Sequence, residues 1–293
     1  MRSDNVEDLI EQLGQQFGDL SPQLRKAARY VMDKPQDVSI SSVRALADAA
    51  DVKPNTFVRL ASQLGYDGYD DFRELFRKQV RRGNGDFQDR VRWLQAIQQK
   101  GDMGALYASM VNDAISNLEQ TFADIDEAQL RYAADLIWQA ENVYCLGVGV
   151  NYSSASNFTY LASTGMKDFR AIPSGASTAI DDLAFASSKD VLIAITMQPY
   201  RTEVLEAVTF ASAKGMKIIG ISDSQASPVI TKSDYGFMTH IDTSQFFPSS
   251  VAIIALLETL LSFVVATASG EIVDRVTTFH ERRHQNGLYH KED

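Results

Sequence analysis

The chain has 293 residues, too long for one small domain and comfortable for two. At 45% hydrophobic and 23% charged residues it has an ordinary globular composition, which excludes a disordered or low-complexity chain. The formal charge of -10 speaks against a uniformly basic nucleic-acid coat, but it is unevenly spread.

Residues 1–82 hold 13 Lys and Arg against 13 Asp and Glu, and the remaining 211 hold 15 against 25. DNA binding depends on where the cations sit, so the total does not exclude it. Cys145 is the one cysteine, which precludes an intrachain disulfide and suits a reducing compartment. The opening run MRSDNVEDLIEQL is polar and acidic and lacks the apolar core of a signal peptide. The longest apolar run, 251–268, is interrupted by Glu258, Thr259 and Ser262, and reads as a buried helix rather than a membrane span. A cytoplasmic chain with no membrane partner is the expectation.

Val6, Leu9, Ile10, Leu13 and Phe17 are spaced for one apolar helix face. Ser21-Pro22, a cap followed by a first-turn proline, opens a second helix that Pro35 should end. Two short helices follow, from about Ser42 and from Pro54, separated only by Ala50-Asp51-Val52-Lys53. Gly65 stops the second of them, and another helix runs from about Tyr69 to Arg82. Arg81-Arg82-Gly83-Asn84-Gly85 is charged, glycine-rich and free of apolar residues, which marks a linker. Helical stretches follow near 87–99, 104–122 and 126–140.

From about Glu141 short apolar runs alternate with helical ones. Strands are expected at 143–146, Phe169–Ile172, 191–196, Lys217–Ser222 and 235–241, with helices at 152–164, 202–214 and 249–268. Strands separated by helices of this length describe a parallel sheet covered on both faces. Ligands of such sheets bind at the loops that follow the strands.

The pair of short helices reads as a helix-turn-helix. Alanines 45, 47, 49 and 50 allow a close crossing, and Leu46, Val52, Val58 and Leu60 are expected to form the shared core. The first turn of the second helix should then expose Asn55, Thr56 and Arg59 to base edges, with Arg44 and Lys53 beside them. A plain alanine-rich helical bundle is the competing reading of the same pattern.

In the sheet, Gly147-Val148-Gly149 follows the first strand and precedes a helix. A lone G-x-G is weak evidence, because a close strand-to-helix turn needs glycine anyway. Around it stand Asn151, Ser153, Ser154 and Ser156, where helix N–H groups favour an anion. Ser174, Ser177 and Thr178 follow the second strand, and Thr196, Gln198, Tyr200, Arg201 and Thr202 the third. Three hydroxyl-rich strand ends suit a phosphorylated, polyhydroxylated ligand; the alternative is that they merely cap helices.

Residues 21–80 resemble the N-terminal domain of the RpiR family of bacterial transcriptional regulators. The matching residues are Ser21-Pro22, Ile40, Leu46-Ala47, Val52, Thr56, Arg59, Leu64-Gly65-Tyr66, Gly68-Tyr69 and Phe72-Arg73. Lys53 stands where that family usually has a capping serine, and a lysine cannot accept the helix N–H bonds. Residues 126–268 resemble the SIS (sugar isomerase) domain that such regulators carry behind the DNA-binding half.

The resemblance implies an all-α helix-turn-helix bundle at 1–82, linker and connecting helices at 83–125, and an α/β SIS domain at 126–293. That domain would be a flavodoxin-like parallel sheet flanked by helices. The function implied is a regulator, a repressor of a carbohydrate or related catabolic operon, that binds double-stranded operator DNA as a homodimer or homotetramer. Its effector would be a small anion, a sugar phosphate by family, held at residues 147, 149, 151, 153, 154, 174, 196, 198 and 200–202. Asn151 replaces a usual phosphate-binding serine, and Thr196-Met197-Gln198-Pro199-Tyr200-Arg201-Thr202 replaces a serine-x-serine-glycine loop, with Arg201 available to supply charge. A non-sugar anion therefore stays open, as does a sheet domain that serves only dimerisation.

Two further patterns compete with this reading. The run from His280 through His284 to His290 fits H-E-x-x-H-x-x-G-x-x-H, a zinc-protease pattern. Its polar intervening residues, Arg282, Arg283, Gln285 and Asn286, favour a solvated terminal helix without metal. A sugar-phosphate isomerase would need a positioned base, and Glu203 and Glu258 are available, though neither sits in a catalytic motif. No cofactor, metal or catalytic residue is assigned.

Overall fold

The computed structural model describes residues 3, 5–81, 87–99, 103–166, 168–268 and 270–290. The expected linker at 81–85 therefore lies outside the described residues, save Arg81. Contacts divide the chain into two compact units, residues 1–113 with 242–249, and residues 114–241 with 250–293. Residues 83–113, assigned from the sequence to a connecting segment, thus cluster with the first unit.

The first unit contains α1 (Val6–Gln16), α2 (Pro22–Asp33), α3 (Pro35–Ile40), α4 (Val43–Ala49), α5 (Pro54–Gln63) and α6 (Tyr69–Arg81). Pro35 does not simply end α2; it serves as the first residue of α3, where its missing N–H is no loss. Ser42 Oγ caps α4 by accepting the Ala45 N–H at 3.2 Å. Helix α4 ends with the Asp51 N–H on Asp48 O at 3.3 Å and the Val52 N–H on Ala47 O at 2.9 Å, around a left-handed Asp51. The same pattern ends α5, where Gly65 at φ 89° lets its own N–H reach Ser62 O and that of Tyr66 reach Ala61 O. Leu9, Leu13, Leu46, Phe57, Leu60, Phe72 and Phe76 fill the core between these helices. Helix α7 (Phe87–Gln99) and the first part of α8 (Met103–Ala123) complete the unit.

The segment 242–249 joins them through Arg90, whose buried guanidinium donates to Thr243 O at 3.0 Å and Phe246 O at 3.3 Å.

The second unit holds α9 (Glu127–Gln139), β1 (Val143–Gly147), α10 (Asn151–Ser163), β2 (Phe169–Ile172), α11 (Ala179–Asp182) and β3 (Val191–Ile195). It continues with α12 (Thr202–Ala213), β4 (Lys217–Ser222), β5 (Tyr235–Met238), α13 (Val251–Thr267) and α14 (Glu271–Gln285). The five strands are parallel in the order β2-β1-β3-β4-β5, with Val143 level with both Phe169 and Val191. β1 and β3 are buried along their whole length, and their side chains alternate between two cores. Val143, Cys145, Ile193 and Ile195 join α9, α10 and α13; Tyr144, Leu146, Leu192 and Ala194 join α11 and α12. That is the three-layer arrangement expected, and connections leave in opposite senses from β1 and β3, which opens a crevice at their carboxyl ends. Among the described residues no single helix is long and apolar enough to cross a membrane.

Candidate DNA-reading helix and effector crevice

The buried residues of α5 are Thr56, Phe57, Leu60 and Ala61, so its outward face carries Asn55, Val58, Arg59 and Ser62. This corrects two sequence assignments. Thr56 is only 9% exposed and turns into the bundle, whereas Val58, expected in the core, is 37% exposed. Phe57 is the larger anchor, and its spacing to Leu60, Ala61 and Leu64 carried the signal for the true face. Lys53 occupies the N-cap position of α5 with no side-chain hydrogen bond to the helix, and is exposed, as is Arg44 on α4. Lys26 meets Asp51 of the turn at 2.5 Å, and that ion pair lowers the Asp51 pKa.

In the second unit, β1 runs into Gly147, against which the first turn of α10 is packed. A Cβ there would fall on the backbone carbonyl of Asn151. Gly149 has φ 64°, the left-handed turn that feeds α10. Asn151 is buried as the first residue of that helix, and Ser153 Oγ donates to Val150 O at 2.8 Å. Ser154 and, just past β3, Thr196 are each 1% exposed, and their hydroxyls have no hydrogen-bond partner. Among the described residues these are the two orphaned side-chain hydroxyls of this unit, and they lie on the strand-and-helix segments that flank the crevice.

The other expected residues are differently engaged. Ser174 gives its N–H and hydroxyl to the Asp182 carboxylate at 2.7 and 2.5 Å, and Thr178 forms a capping box with Asp181 on α11. That loop is satisfied by itself. Tyr200 leans toward the loop after β4, where burial and then the Asp223 carboxylate raise its pKa and its phenol also meets Ser222 and Ser227. Gln198 and Thr202 are exposed. Arg201 is forked onto Glu203 at 3.0 and 2.6 Å, and this pairing holds the Glu203 pKa down to about 2. Its charge is already matched.

Glu258 lies on α13 beside Leu161, Gly165 and Ile272, at the far end of α10 from the crevice. At the C-terminus, His280 Nδ1 is 3.1 Å from the Tyr289 hydroxyl and the His284 ring lies against Tyr289, centroids 4.6 Å apart. Among the described residues no three metal-binding side chains converge, and residues 291–293 lie outside them.

The comparisons bear on both units. The family model described as "Helix-turn-helix domain, rpiR family" matches residues 7–81, and that of the SIS domain matches residues 136–268. The chain carries an rpiR-family helix-turn-helix domain with a SIS domain behind it. It is a transcriptional regulator with an N-terminal helix-turn-helix and a SIS domain. It is 24% identical over 255 residues to an HTH-type transcriptional regulator of Clostridium perfringens, covering 84% of this chain and 88% of the relative. It is 23% identical over 258 residues to the HTH-type transcriptional regulator HexR of Pseudomonas aeruginosa, covering 86% of each. In fold it is similar to the Vibrio vulnificus NanR protein complexed with ManNAc-6P, at TM-score 0.58 and 22% identity, covering 97% of this chain and 100% of that one. The sugar isomerase domain of an RpiR transcription factor from Sphaerobacter thermophilus is also similar, at TM-score 0.56 and 20% identity, covering 61% of this regulator and 98% of that chain.

Proposed function

We propose that the regulator binds a small phosphorylated sugar, or a closely similar anion, in the crevice at the carboxyl ends of β1 and β3. Occupancy there controls the grip of α5 on operator DNA, and the chain acts in the cytoplasm as a symmetric oligomer, repressing a carbohydrate catabolic operon. The observation that carries this reading is the pair of buried, partnerless hydroxyls of Ser154 on α10 and Thr196 just past β3. A buried hydroxyl without a partner is costly, and a polyhydroxylated ligand satisfies it. The helix N–H groups and dipole favour the anionic end. The sugar phosphate in the NanR complex supports the ligand class by analogy.

We assign no catalysis. Glu203 is ionised and held by Arg201, and Glu258 is away from the crevice. Exposed Asn55, Arg59, Arg44 and Lys53 are the proposed DNA contacts, with Thr56 supporting the helix from within.

The test is a thermal-shift screen of sugar phosphates and other small anions, followed by operator binding with each hit. A ligand at about 100 times its Kd should stabilise the sheet unit by about 2.7 kcal/mol. The sensor reading fails if no sugar phosphate shifts the melt, or if a hit leaves DNA affinity unchanged.

A further inference from the structure

Helix α14 lies beyond residues 136–268, the part that matches the SIS domain. Between it and the C-terminal end of α10 is an open cavity of about 450 Å³. That end of α10 is about 20 Å from the crevice, the length of the 13-residue helix. The guanidinium groups of Arg275, Arg282 and Arg283 line the cavity, against one carboxylate, Asp274. The cluster stands out in residues 83–293, where 25 acids outnumber 15 bases. Arg283 is already fixed in place. Its Nη1 donates to the Tyr160 hydroxyl at 2.7 Å, and its guanidinium carbon is 5.2 Å from the Phe279 ring centroid and 5.3 Å from that of Tyr289. Its Nε is enclosed and has no hydrogen-bond partner. The hydroxyls on the cavity wall are committed to helix carbonyls. Ser163 donates to Tyr160 O at 2.7 Å, Thr164 to Leu161 O at 2.7 Å, and Thr278 to Asp274 O at 2.8 Å. The donors left for a ligand are the guanidinium N–H groups and the Asn286 amide, a set that suits an oxyanion.

We propose that this cavity is a second ligand site, separate from the crevice, for a small free phosphate compound. Arg282 and the unpartnered edge of Arg283 take the phosphate oxygens. Arg275, two turns or about 10 Å along α14, meets a second acidic group. Its present partner, Glu271, is 3.5 Å away and 75% exposed, an ion pair too weak to compete with a bound dianion. Helix-dipole compensation does not account for the cluster. It favours Arg282 and Arg283 in the last turn of α14, but it disfavours Arg275 near the start. The volume falls within the range of small-ligand sites, about 300–1,000 Å³. A DNA backbone is the other source of phosphate, but it is met by cations spread over a surface, whereas these arginines line a concavity.

The probe is inorganic pyrophosphate, titrated by calorimetry into the full-length protein at physiological salt. Three proteins are compared: wild type, the crevice variant Ser154→Ala/Thr196→Val, and that variant with Arg275→Gln/Arg282→Gln added. Arg275 and Arg282 are exposed, so helix content by circular dichroism should not change. The crevice variant is expected to keep a pyrophosphate site that the added arginine changes weaken at least about 10-fold, the worth of one charged hydrogen bond. Absence of binding at millimolar pyrophosphate, or equal affinity with and without the two arginines, would overturn the site. Arg282→Lys keeps the charge and loses the planar fork, so it should bind more weakly than wild type. Equal binding there would leave only a diffuse field and no built site. In phosphate-free buffer, Arg275→Gln/Arg282→Gln alone should leave operator affinity and its salt slope unchanged. A shallower slope would give these arginines to the DNA backbone and refute a free ligand. The crevice reading is tested apart. If no sugar phosphate shifts the melt, that reading fails while the pyrophosphate result in the crevice variant stands.

Discussion

The hydroxyls of Ser154 and Thr196 can be judged by the sign of what their removal does. An orphaned buried hydroxyl costs about 1–3 kcal/mol, so replacing it with an apolar group of the same shape is neutral or stabilising in the free protein. A hydroxyl kept for ligand binding should then show two opposite changes. Ser154→Ala and Thr196→Val are expected to hold or raise the melting temperature of the free regulator. Each should weaken the best sugar-phosphate hit by about 10-fold or more, the worth of one hydrogen bond to a charged group. Calorimetric melts and ligand titrations read both. A fall in free-state stability with unchanged ligand affinity would make these hydroxyls structural. Ser174 supplies the contrast, since its hydroxyl is already spent on Asp182 and its removal should leave Asp182 short of a donor.

Among the elements, β1, its turn and α10 form the piece on which the crevice depends. The start of α10 is pressed so closely on Gly147 that any side chain there meets Asn151 backbone. Gly147→Ala is expected to cost about 1–3 kcal/mol of sheet-unit stability, the usual range for overpacking. It should also push away the first turn that carries Asn151 and Ser154, and so weaken effector binding. A Gly147→Ala protein with unchanged melt and unchanged ligand affinity would disprove the role given to this contact.

The strands and long helices followed from residue period alone, because β1 and β3 are near-continuous apolar runs and α10, α12 and α13 separate strands at the right length. The Leu64-Gly65-Tyr66 run found by resemblance has its physical account in the C-cap of α5, where Gly65 is left-handed and Tyr66 packs at 5.4 Å on Phe72. What period could not give were contacts set by partners distant in the chain. Thr56 and Val58 exchanged places because the α2 and α6 sides of the bundle, not the helix alone, fix which way α5 faces. Ser174 and Arg201 were taken as ligand groups, but Asp182 and Glu203 already engage them. The attachment of 242–249 to Arg90 joins residues some 150 positions apart and leaves no local trace.

At the scale of the whole chain, the charge ledger constrains how an acidic protein holds DNA. The first 82 residues are neutral in sum, so attraction must come from a few cations placed where acids are absent or tied up. Asp51, nearest the turn, is paired with Lys26, which leaves Arg44, Lys53 and Arg59 as the exposed cations on and beside α5. Two copies on paired half-sites would then neutralise about six phosphates, and each contributes about 0.9 to the dependence of log K on log salt. A slope near -5 is expected, with weak sequence-independent binding because the rest of the molecule is acidic. Lys53→Ser tests the count. It supplies the missing cap, which should stabilise the helical unit by about 1 kcal/mol, and it removes one cation per half-site. Operator affinity at low salt should therefore fall while the melt rises, and the slope should shrink by about 2 for the dimer. If affinity at low salt is unchanged, Lys53 faces no phosphate, and the DNA-facing charge reduces to Arg44 and Arg59.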